Sequence, residues 1–511
     1  MRLRSILLLV FLPFLICSTK AQDVAKVEFF VGPELEEQKG NRIWETFGHS
    51  EEFFFCIRTD RRKKSQYIIE KIGVDSLIVE KTILFTPTEI SKKVPLLAYP
   101  MSTDDASFLI ATAEDPGGTD IYILAYRITE NLQISEEPMV IGIADREALI
   151  SENGFLIFKS DDNKKVALFI PEEKNPTRNE KFALRYFDSE LNLLETKKIE
   201  IPYPAAKVLL KDAVLTPTGV FHGIISLRKE SGVRALPDSY ALLSYNPAEE
   251  GVKEKSLALG NKWFYDLKLT LTPDTNLWLA GYYSNMVEPS MVGTFSVVID
   301  SNTGELLNTG LSPFQRDFRL MFRQEIKNNE DDLGLFKLDK VFLKNNGSLS
   351  MISEKRYTRE STIYNPASRM YTVIQIHNHE ELLISTIKPS SKITENILLP
   401  KYQSSSQEFG RYTSYVSTQW GDKLLFFYND HLRNETLSPI EYNDYRSVNN
   451  ENNIIITYCI LSDGSMAKKS IDPNTIGDYY LDAEQQYRTS KSQILTTYKG
   501  YKTRYLKVLT P

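Results

Sequence analysis

Two features of the sequence predict an all-β chain assembled from one repeated unit. Apolar and polar residues alternate with period two in segments such as DIYILAYRI, KFALRYFD, SYALLSYN, FSVVID and NNIIITYCILS, which are rich in Ile, Val, Tyr, Phe and Thr. Gly, Asn, Asp or Pro breaks these segments at intervals of roughly 8–12 residues, the spacing of short strands and tight turns, and helical periodicity is scarce.

The third observation is the repeat itself. A polar turn followed by an apolar strand recurs as MSTDDASFLIAT, LTPTGVFHGIIS, LTPDTNLWLAGYY and LKNNGSLSMIS. A second turn follows in each unit, centred near Ser76, Asn131, Glu190, Ala248, Asn302, Ser390 and Asp463. The gaps between these turns are about 55, 59, 58 and 54 residues, then about 88 and 73, and one four-stranded propeller blade needs roughly 45–60. Seven turns predict a single β-propeller of about seven blades. A lone sheet cannot bury both faces, whereas radial stacking buries them and leaves short edges. To close the ring, the first strand candidate (AKVEFFVG, 25–32) is expected to pair with the last hairpin (SQILTTYKGYKTRYLKVL, 492–509). That closure would place Cys56 and Cys459 in neighbouring blades, either bridged or each a small buried apolar residue.

The amino terminus reads MRLRSILLLVFLPFLICSTKAQD. Arg2 and Arg4 precede an apolar core from Ile6 to Ile16, and Thr19-Lys20-Ala21 offers a small-x-small cleavage site. A core of about 11 residues is too short for a bilayer of roughly 30 Å and fits a secretory signal peptide over 1–21. The mature chain, 22–511, is then expected to be a periplasmic or extracellular propeller. Ile16 stands where lipidation signals carry Gly, Ala or Ser, so Cys17 is not read as a lipid anchor. No later apolar run reaches the ~20 residues of a membrane-spanning helix. The net charge of −6 is spread without a basic stripe, which argues against nucleic acid or anionic lipid as partners. Two cysteines beyond the leader exclude a disulfide scaffold or a Cys-rich zinc module.

The two long gaps predict insertions at about 309–335 and 429–453. In the first, Ser312 suits a helix N-cap and Pro313 the first helical position. Phe314, Phe318, Phe322 and Ile326 then share one face, so one short amphipathic helix lying on a blade is expected. The second insertion, NDHLRNETLSPIEYNDYRSVNNENN, is polar and long for a compact domain. Tyr442 and Tyr445 within it, and Trp420 on a nearby turn, are candidates for exposure.

Several motifs occur in a particular order: LRYFDSELNLLETKKIEIPY, LAGYYS with VGTFSVVID and LSPF, SEKRY (353–357), LPKYQ (399–403), TSY (413–415) and FFYNDHLRN (426–434). Together they resemble a family of exported, uncharacterised Bacteroidota β-propeller-like proteins, from about Lys181 to the end and more weakly before it. The resemblance implies fold and export and carries no reaction with it. Across His377 to Leu382 the chain departs from the family's Tyr-Asn-Asp-Ile run, with His and Glu replacing Tyr and Asp.

That segment, YTVIQIHNHEELLIS (371–385), holds the one metal candidate. His377 and His379, two apart on a strand, share a face and could both reach one zinc. The preferred reading is a rim strand whose imidazoles are exposed or hydrogen bonded, because no HExxH, CxxC or metal-spaced acidic loop supports the pair. Gly-x-Ser-x-Gly, P-loop and Rossmann glycine patterns are also missing. No cofactor is expected, and the chain is read as a non-catalytic propeller binding a protein or glycan partner at the cell envelope. The binding candidates are Gln403, Asn429, Asp430, Asn434 and Tyr442. The alternatives are a hydrolase or lyase working in the central channel, metal dependent through His377 and His379, and a structural envelope component.

Overall fold

The computed structural model describes residues 27–509 apart from 37–40, 61–64, 91–92, 151–153, 173–174, 229–235, 250, 288–289, 317, 319–335, 366–369, 389–392, 407–411, 438–444, 448–452, 472–475, 478 and 500–501. The leader, 1–21, lies outside them. Eight antiparallel sheets of at least four strands follow one another along the chain, each open at its edges. Blades 1 to 7 span 41–85, 96–145, 156–204, 208–257, 263–313, 336–405 and 416–470. Blade 8 joins three strands within 480–509 to the first strand, Glu28–Val31.

Inner strands of successive blades pack on one another, as in blades 3, 4, 5 and 6, and blade 8 meets blade 1 in the same way. Outer strands such as Lys253–Leu257 and Leu306–Pro313 are largely exposed. An apolar cluster fills each junction between neighbours. The series returns to its start where Ile43, Phe54 and Cys56 of blade 1 meet Tyr487, Ile494 and Tyr505 of blade 8. Such burial, roughly 25 cal/mol per Å² of apolar surface, is what drives separate sheets into a ring.

The expected closure is present: Glu28 pairs with Leu509 and Val31 with Leu506. It also corrects the blade count from seven to eight. Each of the seven counted positions falls, in sequence, between the third and fourth strands of one of blades 1–7. In the closing blade those two strands come from opposite ends of the chain, so no turn marks it. The cysteines are unbridged and buried in different junctions, Cys56 between blades 8 and 1 and Cys459 between blades 7 and 8.

Strand alternation sorts the connections onto two faces. First-to-second and third-to-fourth turns lie on one face, and these turns are short. Thr103, Thr272 and Thr489 close several of them by donating to the carbonyls of Ala106, Asn276 and Ser492, the local bonding that suits Ser and Thr to turns. Second-to-third connections and blade-to-blade crossings lie on the opposite face, where the long segments collect. There Ser312 and Pro313 end the strand Leu306–Pro313, and helical backbone begins just after them, at Arg316 and Phe318. Phe314 and Phe318 pack into the junction of blades 5 and 6, and the rest of the expected helix falls outside the described residues. Asn429 and Asp430 belong to the strand Lys423–His431, so the second insertion begins after them. Tyr445 is buried, and Trp420 is half-buried against the junction of blades 7 and 8.

Much of the extra length in blade 6 lies elsewhere. Its second and third strands, Leu349–Asn365 and Met370–Ile387, run for 17 and 18 residues, against 8 and 7 in blade 5. They leave the blade together as a two-stranded ribbon.

Candidate functional site at the base of the blade 6 ribbon

Within blade 6, Leu349 to Lys355 pair with the inner strand Phe336–Leu343, and Leu382 to Ile387 pair with Ile393–Leu399. Farther out, only the short strand Gln403–Ser405 joins the ribbon, against His377 to His379. Among the described residues, 356–365 and 370–376 have no further strand beside them. Side chains on both ribbon faces are exposed, among them Ile363, Tyr364, Met370, Tyr371 and Val373. Two-stranded ribbons are only marginally stable in water, so this one needs an anchor at its base.

The anchor is a buried ionic cluster. Ser350, Ile352 and Glu354 alternate onto one face of the strand, the face on which Ile352 packs towards blade 7. Glu354 ends that row, fully buried. Its Oε1 lies 2.7 Å from Nζ of Lys401, also fully buried. Its Oε2 receives Arg356 Nε, Ser414 Oγ at 2.9 Å and the His379 ring at 3.1 Å. Arg356 turns its other end to Asp339 at 2.6 Å, and the Tyr415 hydroxyl donates to the same Asp339 oxygen at 3.1 Å.

Burial pushes the Glu354 pKa up, but Lys401, His379 and Arg356 more than reverse this and hold it well below the carboxylate range. Burial lowers the pKa of Lys401, with Glu354 opposing. These directions favour opposite charge states. The several donors converging on Glu354 decide for the ionised pair, since desolvated charges persist only when paired and hydrogen bonded. A second set of charges lies alongside, where Lys355 Nζ is 2.7 Å from Glu380 and 3.5 Å from Glu381. The Tyr357 hydroxyl donates to Glu380 at 2.7 Å.

Lys401 links this cluster to Gln403 and, through it, to Asn429, which Asp430 follows in the strand. Its ammonium donates to Gln403 Oε1, and the Gln403 amide donates to the Asn429 carbonyl at 2.7 Å. The Asn429 side chain exchanges hydrogen bonds with the Leu481 backbone of blade 8 at 2.7 and 2.8 Å. Asn434 donates to Asp430 at 2.6 Å and to the Arg446 carbonyl at 2.7 Å. Burial raises the Asp430 pKa to about 7, and its Oδ2 has no hydrogen-bond partner among the described residues. The sequence candidates Gln403, Asn429, Asp430 and Asn434 are thus brought together, but all four are buried rather than on a surface. Tyr442 lies outside the described residues.

His377 and His379 have separate partners, the Thr358 hydroxyl at 3.1 Å and Glu354. Among the described residues, no three His, Cys, Asp or Glu side chains converge as metal ligands. Glu354 and Lys401, the centre of the cluster, were not binding candidates. The signal for them was a charged residue extending a core-facing row in LSMISEKRY, and a lysine directly after the apolar run ILLP. The motifs SEKRY, LPKYQ, TSY and FFYNDHLRN, which carry the family resemblance, all contribute to this network.

Sequence and site together describe an eight-bladed β-propeller with a charged, ribbon-bearing junction. No family description matches the chain, and no curated protein matches it by sequence. Similar solved structures are propellers or contain them. The β-propeller domain of the Trilobed protease from Pyrococcus furiosus is 10% identical, covers 86% of this chain and 97% of its own, and gives a TM-score of 0.37. An uncharacterised protein from Listeria monocytogenes is 10% identical over 80% of this chain and 91% of its own, with a TM-score of 0.38. A quinohemoprotein alcohol dehydrogenase from Pseudomonas putida is 8% identical over 94% of this chain and 76% of its own, with a TM-score of 0.44. Likenesses this distant say nothing about chemistry.

Proposed function

We propose that the protein is an exported, partner-binding propeller, and that it captures an extended segment of a protein along the blade 6 ribbon. The observation that carries this reading is the ribbon itself, projecting with unpaired edges and exposed Ile363, Tyr364, Tyr371 and Val373. Unpaired strand edges are templates for an added strand, with alternate side chains supplying specificity. Rows of backbone donors and acceptors beside aliphatic side chains suit a polypeptide better than a glycan. Export rests on the leader-like amino terminus and places the partner at the cell envelope. The ionic cluster supports binding rather than turnover, because its charges are engaged with one another.

The test is to pan a displayed library of extended peptides on residues 22–511. Enriched peptides are then measured against a variant with 357–378 replaced by an Asn-Gly turn. Alternating β-branched peptides should be enriched and should bind the shortened variant at least about tenfold more weakly, with unchanged circular dichroism. Lack of enrichment, or equal binding to both forms, would sink the reading.

A further inference from the structure

A cavity of about 520 Å³ opens among the inner strands, and no ribbon residue lines it. It is lined by the inner strands of blades 1, 2, 3 and 8 and lies towards the face of short turns, because Ser102, Lys159 and Arg488 end their strands. Its volume falls within the roughly 300–1,000 Å³ typical of small-ligand sites.

The lining is chemically divided. Lys159 and Arg488 bring two cations, each with one N–H engaged by a backbone carbonyl, Ser102 at 2.7 Å and Gln419 at 3.1 Å. An ammonium has three donors and a guanidinium five, so both can still bind an anion. Lys159 is solvent-accessible yet enclosed enough for burial to lower its pKa, as expected of a side chain inside a wet cavity. Glu45 lies in the same lining. Burial, reinforced by Glu484 and Asp482, raises its pKa to about 7, so near neutrality it both donates and accepts hydrogen bonds. Tyr99, half-buried and stacked on Phe155, and the edge of the buried Tyr487 complete the lining. Tyr487 is fixed by stacking on Phe54 and by a 2.6 Å bond to the Ser50 carbonyl.

We infer that this cavity binds a carboxylated sugar of the uronic acid type: its carboxylate at the rim that carries Lys159 and Arg488, its hydroxyls at Glu45 and Ser102, its ring beside Tyr99 and the edge of Tyr487. A neutral sugar would leave the two cations unanswered, and a bare carboxylate would leave the tyrosines and Glu45 unused.

Calorimetric titration of residues 22–511 with glucuronate, galacturonate, a galacturonate tetramer, glucose and acetate tests this. At least one uronate should bind saturably, and glucose and acetate at least about tenfold more weakly. Lys159→Met and Arg488→Gln should each weaken uronate binding by about tenfold or more, while the shortened-ribbon variant binds as the unaltered protein does. If either substitution prevents folding, the same ion pairing is read from weaker uronate binding to the unaltered protein at higher salt. A tetramer that binds more tightly than the monosaccharide assigns the site to a polymer end, and the reverse assigns it to the free sugar. No saturable binding of any uronate, equal binding of acetate or glucose, or uronate affinity indifferent to the substitutions and to salt would overturn the inference.

Discussion

The junction between blades 4 and 5 and the junction between blades 6 and 7 use the same repeat and are closed differently. At the first, Asp212 follows a bulge in its inner strand and accepts the Leu269 amide of the next blade at 2.8 Å. Around it Leu242, Leu267, Leu279 and Phe295 make a dry contact. Asp266 repeats the clasp onto Leu338 in blade 6. In blade 6 the bulged residue is itself Asp339, and it binds Arg356 and Tyr415 instead of the next inner strand. Apolar residues still fill part of that junction, but Glu354 and Lys401 lie at its edge, fully desolvated. Where a junction has only to pack two sheets, aliphatic side chains and one backbone clasp suffice. Where two strands leave the sheet without a second layer, directional charge pairs hold their exit.

The largest effect should come from splitting the buried pair. Lys401→Met leaves Glu354 desolvated beside fewer donors and should cost about 3–5 kcal/mol in denaturant unfolding. Adding Glu354→Leu should recover much of that loss, because a hydrophobic pair tolerates burial. At the dry junction, Leu279→Ala should cost about 2–5 kcal/mol through its cavity, with no recovery from a second polar change. A smaller loss of about 1–3 kcal/mol is expected for Asp266→Ala, which strips the Leu338 amide of its acceptor.

Two carboxylates should separate by pH. Glu354 has a depressed pKa when folded, so its stabilisation is complete above the unfolded carboxylate value near 4.5 and is lost as pH falls below it. Asp430 has a raised pKa, so the folded state holds a proton that the unfolded state releases. Its contribution therefore declines as pH rises from about 4 to about 7. Asp430→Asn should flatten the stability profile across that window, measured as thermal midpoint against pH.

Much of this architecture was legible beforehand. Period two and the turns at Ser76, Asn131, Glu190, Ala248, Asn302, Ser390 and Asp463 marked seven blades, and the pairing of chain ends was anticipated. The eighth blade escaped because closure replaces its last turn with the two termini. The ribbon escaped because strand-like sequence continues on either side of NPAS (365–368), so nothing local separates a strand inside a blade from one projecting beyond it. The clustering of Gln403, Asn429, Asp430 and Asn434 was visible as amide-rich motifs. Their burial was not, because it comes from partners distant in sequence, Asn429 for Gln403, Leu481 for Asn429 and Arg446 for Asn434.

The account turns on Lys401 and Glu354 holding the ribbon in place, and hydrogen exchange of the Lys401→Met variant measures that directly. At exchange times too short for global unfolding, amides in 356–365 and 370–376 should exchange at least about tenfold faster than in the unaltered protein, while those of Leu277–Ser284 in blade 5 stay protected. Unchanged protection in the ribbon, or an equal loss in blade 5, would contradict the account.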